Sequence, residues 1–85
     1  MPSGGAWEER DGGLQRTFEF ADFSEAFAFM TRVALLAESR NHHPDWSNSW
    51  NKVVIDITNH AEGGISDTCF ALAAAINKAL GENAA

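Results

Sequence analysis

Hydrophobic and polar side chains alternate near the start of the chain, between positions 14 and 20. The mainly apolar face of this segment consists of Leu14, Arg16, Phe18 and Phe20. A period of two predicts a strand with one buried face. A preceding segment, Trp7 to Arg10, is joined to it by Asp11-Gly12-Gly13, and such a junction favours a tight turn. We therefore predict an antiparallel hairpin here.

The pattern changes to helical spacing after Asp22. The recurring apolar positions are Phe23, Ala26, Phe27, Met30, Val33, Ala34 and Ala37. Asp22 stands three residues before Glu25, which approximates a capping box. These features predict a helix from about 23 to 39.

A second helix is predicted toward the end of the chain. Ser66 is a suitable N-cap, and Gly81 is a suitable C-terminal stop. The positions that trace this helix are Phe70, Ala73, Ile76, Asn77 and Leu80. The segment Glu62-Gly63-Gly64 predicts a flexible connection before it.

Between the helices, the segment from 41 to 48 is rich in turn formers and predicts a loop, in which Pro44 favours an extended His43. The segment Trp50 to Thr58 contains several β-branched residues and no breaker, which predicts a strand. His60 follows the end of that strand.

The predicted order β-β-α-β-α indicates an α+β fold. We expect an antiparallel sheet of three to four strands with two long helices on one face, and a short third helix is an open alternative. Residues 1–6 are rich in Gly, Ser and Pro and predict a loose N-terminus. Residues 7–85 predict a single domain, since no internal repeat or linker is evident.

Composition narrows the functional classes. The chain has 85 residues and a formal charge of −6, and it has no run of Lys or Arg, so we expect no direct nucleic-acid binding. Charged and polar residues interrupt the apolar segment from 23 to 37, so we expect no membrane span and no signal peptide. A single cysteine, Cys69, fits a reducing, cytoplasmic location. The small core favours self-association.

The three histidines are the clearest candidates for chemistry. His42 and His43 are adjacent and precede Pro44 and Trp46, while His60 follows later. Imidazoles titrate near neutral pH, so the group suggests an acid–base site. Solvated or structurally hydrogen-bonded loop histidines are the ordinary alternative. Zinc is a third interpretation, although adjacent histidines are not the usual ligand spacing.

Aromatic and acidic neighbours also allow two interpretations. Trp46 and Trp50 offer flat surfaces for a heteroaromatic ligand, but large aromatic residues in a small domain commonly belong to the core. Glu38 could orient an imidazole or contact a ligand, or it could remain a solvated carboxylate at the helix end. Cys69 has no Lys or Arg neighbour in sequence, which favours a buried structural thiol.

Nearly the whole chain, from Trp7 to about Leu80, resembles the pterin-4a-carbinolamine dehydratase family. The family motif has an acidic residue, His-His-Pro, an aromatic residue and a later His. It is matched by Glu38, His42, His43, Pro44, Trp50 and His60. The segments Phe29 to Leu35 and Asn51 to Val53 also read like family members.

The resemblance implies dehydration of 4a-hydroxytetrahydropterin to quinonoid dihydropterin, which recycles the cofactor of aromatic amino acid hydroxylases. It implies no metal and no cofactor. One proton goes to the departing 4a-hydroxyl and another leaves N5, and imidazoles suit both transfers. We expect His43 and His60 to transfer protons and His42 to position the ligand or assist. Glu38, Pro44, Trp46 and Trp50 are expected to contact the pterin.

The resemblance also implies partners. Family members form homodimers or homotetramers, and vertebrate members also act as dimerisation cofactors of a transcription factor. A non-catalytic binding module is therefore an alternative function, a hydroxylase is a further expected partner, and a eukaryotic member could also be nuclear. The sequence leaves the choice between dimer and tetramer open.

One position departs from the family pattern. Cys69 stands where the family has an acidic residue, and a degenerate member with impaired activity is therefore another alternative. If Ser66 is the N-cap, Cys69 is the third helical residue, where an acid would complete a capping box and favour the helix dipole. The family acid thus has either a structural role or a role in the site.

Overall fold

The computed structural model describes residues 6–58 and 65–81. Its elements are β1 (Glu8–Arg10), β2 (Gly13–Glu19), α1 (Phe23–Arg40), β3 (Asp45–Ser49), β4 (Lys52–Ile57) and α2 (Asp67–Leu80). The four strands form one sheet in the order β1-β2-β4-β3, and every neighbouring pair is antiparallel. The predicted α+β class, the antiparallel sheet of three to four strands and the two long helices are confirmed.

Four parts of the prediction depend wholly or partly on residues outside the described ranges. No third helix occurs within residues 6–58 and 65–81. The predicted division into a loose segment 1–6 and a single domain 7–85 stays a prediction. The connection predicted at Glu62 to Gly64 and the position of His60 lie outside the described residues.

The β1–β2 hairpin forms as its sequence predicts. Arg10 pairs with Gly13, so Asp11 and Gly12 are the two turn residues, with φ of 50° and 77°. Positive φ at both positions is the geometry that Asp-Gly favours. Gly13 is needed for a different reason: a Cβ there would lie 2.7 Å from the carbonyl oxygen of Ile57 and 2.5 Å from the methyl group of Thr58. A side chain at position 13 would therefore push β2 away from the end of β4.

The core lies between the helices and one face of the sheet. The apolar face of β2 packs there as predicted, and Phe18 is fully buried. Its ring centroid is 4.9 Å from that of Phe29 on α1. The other residues buried in this core from β4 and α2 include Val53, Ile55, Ile57, Cys69, Leu72 and Ile76. Burial of these side chains on both layers fixes the helices against the sheet.

The caps of both helices lie where they were predicted. Asp22 accepts a hydrogen bond at 2.8 Å from the backbone N–H of Glu25, so it is the N-cap of α1. Ser66 occupies the N-cap position of α2, but its side chain makes no capping hydrogen bond. Gly81 ends α2 in the left-handed conformation, with φ of 100°.

The predicted loop from 41 to 48 is wrong over its second half. Asp45–Ser49 forms the edge strand β3, which pairs with β4. Its polar residues lack strand propensity, but β4 offers a row of backbone hydrogen-bonding groups, and pairing with that row outweighs the local preference. The following strand is also shorter than predicted, because Trp50 and Asn51 form the turn and β4 begins at Lys52.

The buried faces of the helices differ partly from the predicted faces. On α1 the buried residues are Ala26, Phe29, Val33 and Ala37. Phe23 and Phe27 instead lie on the surface, 48% and 56% exposed, and contact each other. Phe70 on α2 is likewise 52% exposed. Spacing alone did not distinguish the two apolar stripes, because Phe27 and Phe29 both continue a helical pattern.

A group of polar side chains lies at the last turn of α2. The Asn77 Oδ1 atom accepts hydrogen bonds from Trp7 Nε1 at 2.8 Å and from Arg16 Nη1 at 2.7 Å. Arg16 is 8% exposed, and its guanidinium lies 4.6 Å from the ring centroid of Phe18. We call Trp7, Arg16 and Asn77 the asparagine cluster. It ties β2 and the segment before β1 to α2.

Candidate functional site

The candidate site begins where α1 ends. Asn41 is the C-cap, with φ of 50° and ψ of 40°, and its N–H donates to the carbonyls of Ala37 and Glu38. The N–H of His42 donates to the carbonyl of Ala37 at 3.1 Å. This left-handed residue with two return hydrogen bonds is a Schellman ending. It fixes the backbone from which the two histidine side chains start.

The two histidine side chains have different surroundings, as expected for neighbours on an extended backbone. His42 is half-buried and contacts the end of β4 and the first turn of α2. His43 is exposed and contacts Glu38 on the last turns of α1. We call Glu38, His42, His43 and Cys69 the histidine cluster.

The imidazole of His42 is held through its Nε2 atom, which lies 2.9 Å from the carbonyl oxygen of Thr58. A carbonyl oxygen only accepts hydrogen bonds, so Nε2 carries the hydrogen. In the neutral ring Nδ1 therefore has the lone pair. Among the described residues, no side chain or backbone group bonds to Nδ1 of His42.

His43 is arranged in the same way by a different acceptor. Its Nε2 lies 2.8 Å from Oε1 of Glu38, and the two side chains are 58% and 81% exposed. A carboxylate accepts the Nε2 hydrogen, so Nδ1 again has the lone pair in the neutral ring, and within residues 6–58 and 65–81 it has no hydrogen-bond partner. An exposed pair of this kind adds little to stability, and its structural effect is to orient the ring.

Cys69 is the residue of α2 that contacts this site. It is the third residue of the helix and is fully buried, as predicted for a structural thiol. Its Sγ lies 4.0 Å from Nε2 of His42 and 3.7 Å from Oγ of Ser66. The position at which this chain departs from the family motif is therefore in contact with one of the candidate histidines.

The remaining candidates are spread along β3. Pro44 is half-buried directly before the strand. Trp46 pairs with Ile55 and packs against the core, so its ring lies on the helix-facing side of the sheet. Trp50 is 64% exposed in the turn at the other end, with φ of 52°. A strand of five residues separates it from the histidines by roughly 16 Å.

The structure thus brings together Glu38, His42, His43 and Cys69, and it places Trp50 apart from them. The role of His60 stays a prediction, because that residue lies outside the described part of the chain. Sequence reasoning missed the carbonyl of Thr58. A backbone acceptor carries no side-chain signal, and only the position where β4 ends could have indicated it.

The described ranges contain neither a candidate metal centre nor a candidate membrane span. Within residues 6–58 and 65–81, no three His, Cys, Asp or Glu side chains are grouped so that they could hold a metal ion. No helix in those ranges has the length and apolar character needed to cross a membrane. The arrangement that remains is two oriented imidazoles, of which His43 lies beside the Glu38 carboxylate.

Fold and site together define a small α+β protein with two adjacent, hydrogen-bonded histidines at the end of its first helix. The model of the Pterin 4 alpha carbinolamine dehydratase family matches residues 2–79. The chain belongs to this family.

Relatives from bacteria agree with that membership. A protein of Synechococcus sp. (strain WH7803) is 56% identical over 71 residues, which are 84% of this chain and 76% of the relative. A protein of Rhodospirillum rubrum is 57% identical over 68 residues, which are 80% of this chain and 71% of the relative. Both are provisionally named pterin-4-alpha-carbinolamine dehydratase.

Two solved structures share the fold. A transcriptional coactivator/pterin dehydratase from Brucella melitensis superposes with a TM-score of 0.83 at 37% identity, over 87% of this chain and 81% of the other. A pterin dehydratase-like RuBisCO assembly factor of the alpha-carboxysome superposes with a TM-score of 0.80 at 23% identity, over 93% and 94% of the chains. The second likeness shows the fold alone.

Proposed function

We propose that this protein catalyses dehydration of 4a-hydroxytetrahydropterin to quinonoid dihydropterin and water. The oriented pair of imidazoles supports the proposal most directly, since Nε2 of each ring is held by an acceptor and Nδ1 has no partner among the residues that the structure describes. Family membership supplies the substrate class. The metabolic role that follows is regeneration of the pterin cofactor of aromatic amino acid hydroxylases.

The reaction needs two proton transfers and no redox step. The 4a-hydroxyl receives a proton and leaves as water when the C4a–O bond breaks. The N5–H bond loses its proton, and its electron pair forms the new C4a=N5 double bond. Groups that exchange protons near neutral pH lower the barrier of both steps.

We assign one of these transfers to Nδ1 of His43. Glu38 holds the opposite nitrogen at 2.8 Å, which fixes the direction in which Nδ1 points. The side chain is also 58% exposed, so a ligand can reach it. His60 is the proposed second transfer group, by the family motif, and His42 is the proposed positioning group. Pro44 and Trp46 are proposed to contact the pterin.

A turnover assay tests the proposal. Freshly prepared 4a-hydroxytetrahydropterin is mixed with the protein, and formation of quinonoid dihydropterin is followed against the uncatalysed rate. We expect acceleration by the natural chain and loss of that acceleration in His43→Ala and His60→Ala. Arg32→Gln, on an exposed part of α1, is the control and should keep full activity. Equal rates with and without the natural protein would refute the proposal.

A second candidate function is binding of a protein partner through the helices. The Brucella relative is named a transcriptional coactivator as well as a pterin dehydratase. In this chain Phe23, Phe27 and Phe70 leave large apolar surface exposed on the two helices. Exposed aromatic residues of this kind are typical of association surfaces.

We further propose that this surface joins copies of the chain into a homodimer or homotetramer. Phe23→Ser/Phe27→Ser should lower the mass found by sedimentation while leaving the circular dichroism spectrum unchanged. Ala28→Ser, exposed on the same helix, is the control. A monomeric natural chain would contradict self-association. An oligomer without turnover would favour the binding module over the enzyme.

A further inference from the structure

Cys69 is the one member of the histidine cluster that the proposed reaction does not use. Its sulfur lies 4.0 Å from Nε2 of His42, and the side chain is fully buried. A buried side chain in van der Waals contact with a ring restricts the orientations that the ring can adopt. The contact therefore bears on where Nδ1 of His42 points.

A nucleophilic role for this thiol is inconsistent with the geometry. Activation would require the neighbouring imidazole to take the thiol proton at Nε2. That nitrogen already donates its hydrogen to the carbonyl of Thr58 at 2.9 Å. The sulfur also has no exposed surface through which a substrate could reach it.

His42 has no charged partner within the described part of the chain. The charged side chains on the adjoining segments are Glu38, Arg40, Asp45, Asp56 and Asp67. Within the described residues none of them forms a hydrogen bond or ion pair with His42. The backbone carbonyl of Thr58 and the sulfur of Cys69 both lie next to Nε2 of the ring.

We infer that Cys69 is a positioning residue, which keeps Nε2 of His42 on the Thr58 carbonyl and so presents Nδ1 to the ligand. This inference rests on the proposed function for its catalytic consequence. The orientation itself is a property of the protein without ligand. An aspartate at position 69 would place a charged acceptor beside Nε2, and the chain would then orient His42 by a charge-assisted hydrogen bond.

The first test measures the orientation and does not depend on turnover. Ring-nitrogen NMR of the ¹⁵N-labelled protein identifies which nitrogen of His42 carries the hydrogen, with His42→Gln used for assignment. We expect the Nε2–H form in the natural chain and in Cys69→Ser, which keeps a side chain of similar size. In Cys69→Ala the ring gains space, and we expect a mixture of the two forms.

The second test measures the catalytic consequence. We expect Cys69→Ala to lower kcat about 10-fold, with KM changed less than about 2-fold, because the ring loses its orientation and the substrate contacts remain. Cys69→Asp should shift the acid limb of the pH–rate profile toward higher pH, since a carboxylate favours the imidazolium. Cys69→Ser should keep the natural profile.

The outcomes separate the inference from the proposed function. Natural NMR signals, kcat and pH profile in Cys69→Ala would overturn the positioning role, even if Cys69→Asp fails to fold. If the natural chain has no turnover, the proposed function fails. A changed tautomer in Cys69→Ala would still support the positioning role in that case, whereas an unchanged tautomer would overturn it.

Discussion

The two ends of α2 contact polar clusters of opposite character. At its first turn, the histidine cluster reaches the surface: the side chains of Glu38 and His43 are 81% and 58% exposed, and within the described residues neither imidazole has a hydrogen-bond partner at Nδ1. At its last turn, Asn77 accepts hydrogen bonds from Trp7 and from the buried Arg16. Polar groups that satisfy one another in the interior hold a fold together. Polar groups left open at the surface are available for chemistry.

The comparison of the two clusters predicts that activity and stability can be lowered independently by different mutations. His43→Ala should lower kcat by about 10²–10⁴-fold, since a proton-transfer group is lost. The free energy of unfolding should change by no more than about 0.5 kcal/mol, because the side chain is largely exposed. Turnover and urea denaturation measure the two quantities. A loss of 2 kcal/mol or more in stability, about four times that limit, would break the comparison.

The opposite result is expected for Asn77→Leu. Two donors, Trp7 Nε1 and Arg16 Nη1, lose their acceptor, and we expect about 2–4 kcal/mol less stability by urea denaturation. The kcat of the folded fraction should stay within about 2-fold of the natural value. Asn77→Asp is the matched control, because it keeps an acceptor oxygen for both donors. If the Asn77→Leu and Asn77→Asp proteins are equally stable, the asparagine cluster does not stabilise the fold.

A smaller effect is expected at Glu38. Glu38→Ala removes the acceptor of His43 and should lower kcat about 10-fold, while Glu38→Gln keeps an uncharged acceptor and should lower it about 3-fold. Stability should be nearly unchanged in both, since the pair is exposed. Equal kcat in all three proteins would remove Glu38 from the site.

The smallest effect is expected at Trp50, which lies outside both clusters. Its φ of 52° is unfavourable for a bulky residue, so Trp50→Gly should stabilise the protein by about 0.5–1 kcal/mol. Trp50→Ala keeps the unfavourable backbone conformation and should not stabilise the protein.

Titration of the Trp50 variants with a dihydropterin measures their ligand affinity. If their affinity for the pterin is unchanged, the binding site lies at the histidine end of β3. If their affinity is lower, the site also includes the turn between β3 and β4.

Sequence reasoning succeeded where a local signal dominates. Asp11-Gly12, Asp22 and Gly81 each favour one backbone conformation, and the turn and helix ends lie where these residues predict. It failed at β3, whose polar residues become a strand only because β4 supplies hydrogen-bonding partners. Strand pairing of that kind depends on distant residues and leaves no local pattern.

In the candidate site, too, the local sequence motif was informative and the contacts between distant residues were not predicted. The motif predicted that Glu38, His42 and His43 belong together, and the structure places Glu38 and His43 in contact. It could not predict that His42 bonds to a carbonyl of Thr58 or that Cys69 lies against its ring. Both contacts form only if β4 and α2 pack next to the end of α1, and packing of the core determines that arrangement.

Gly13 is far from the histidines in sequence, but the absence of a side chain there affects the position of a residue that contacts His42. Thr58 rests against this glycine with no room for a methyl group, and the same residue holds His42 through its carbonyl. A mutation in the first hairpin can therefore reach the imidazole through one intervening residue. In a screen for variants with lost activity, Gly13 should be recovered together with the histidines, although it lies in β2 and belongs to neither polar cluster.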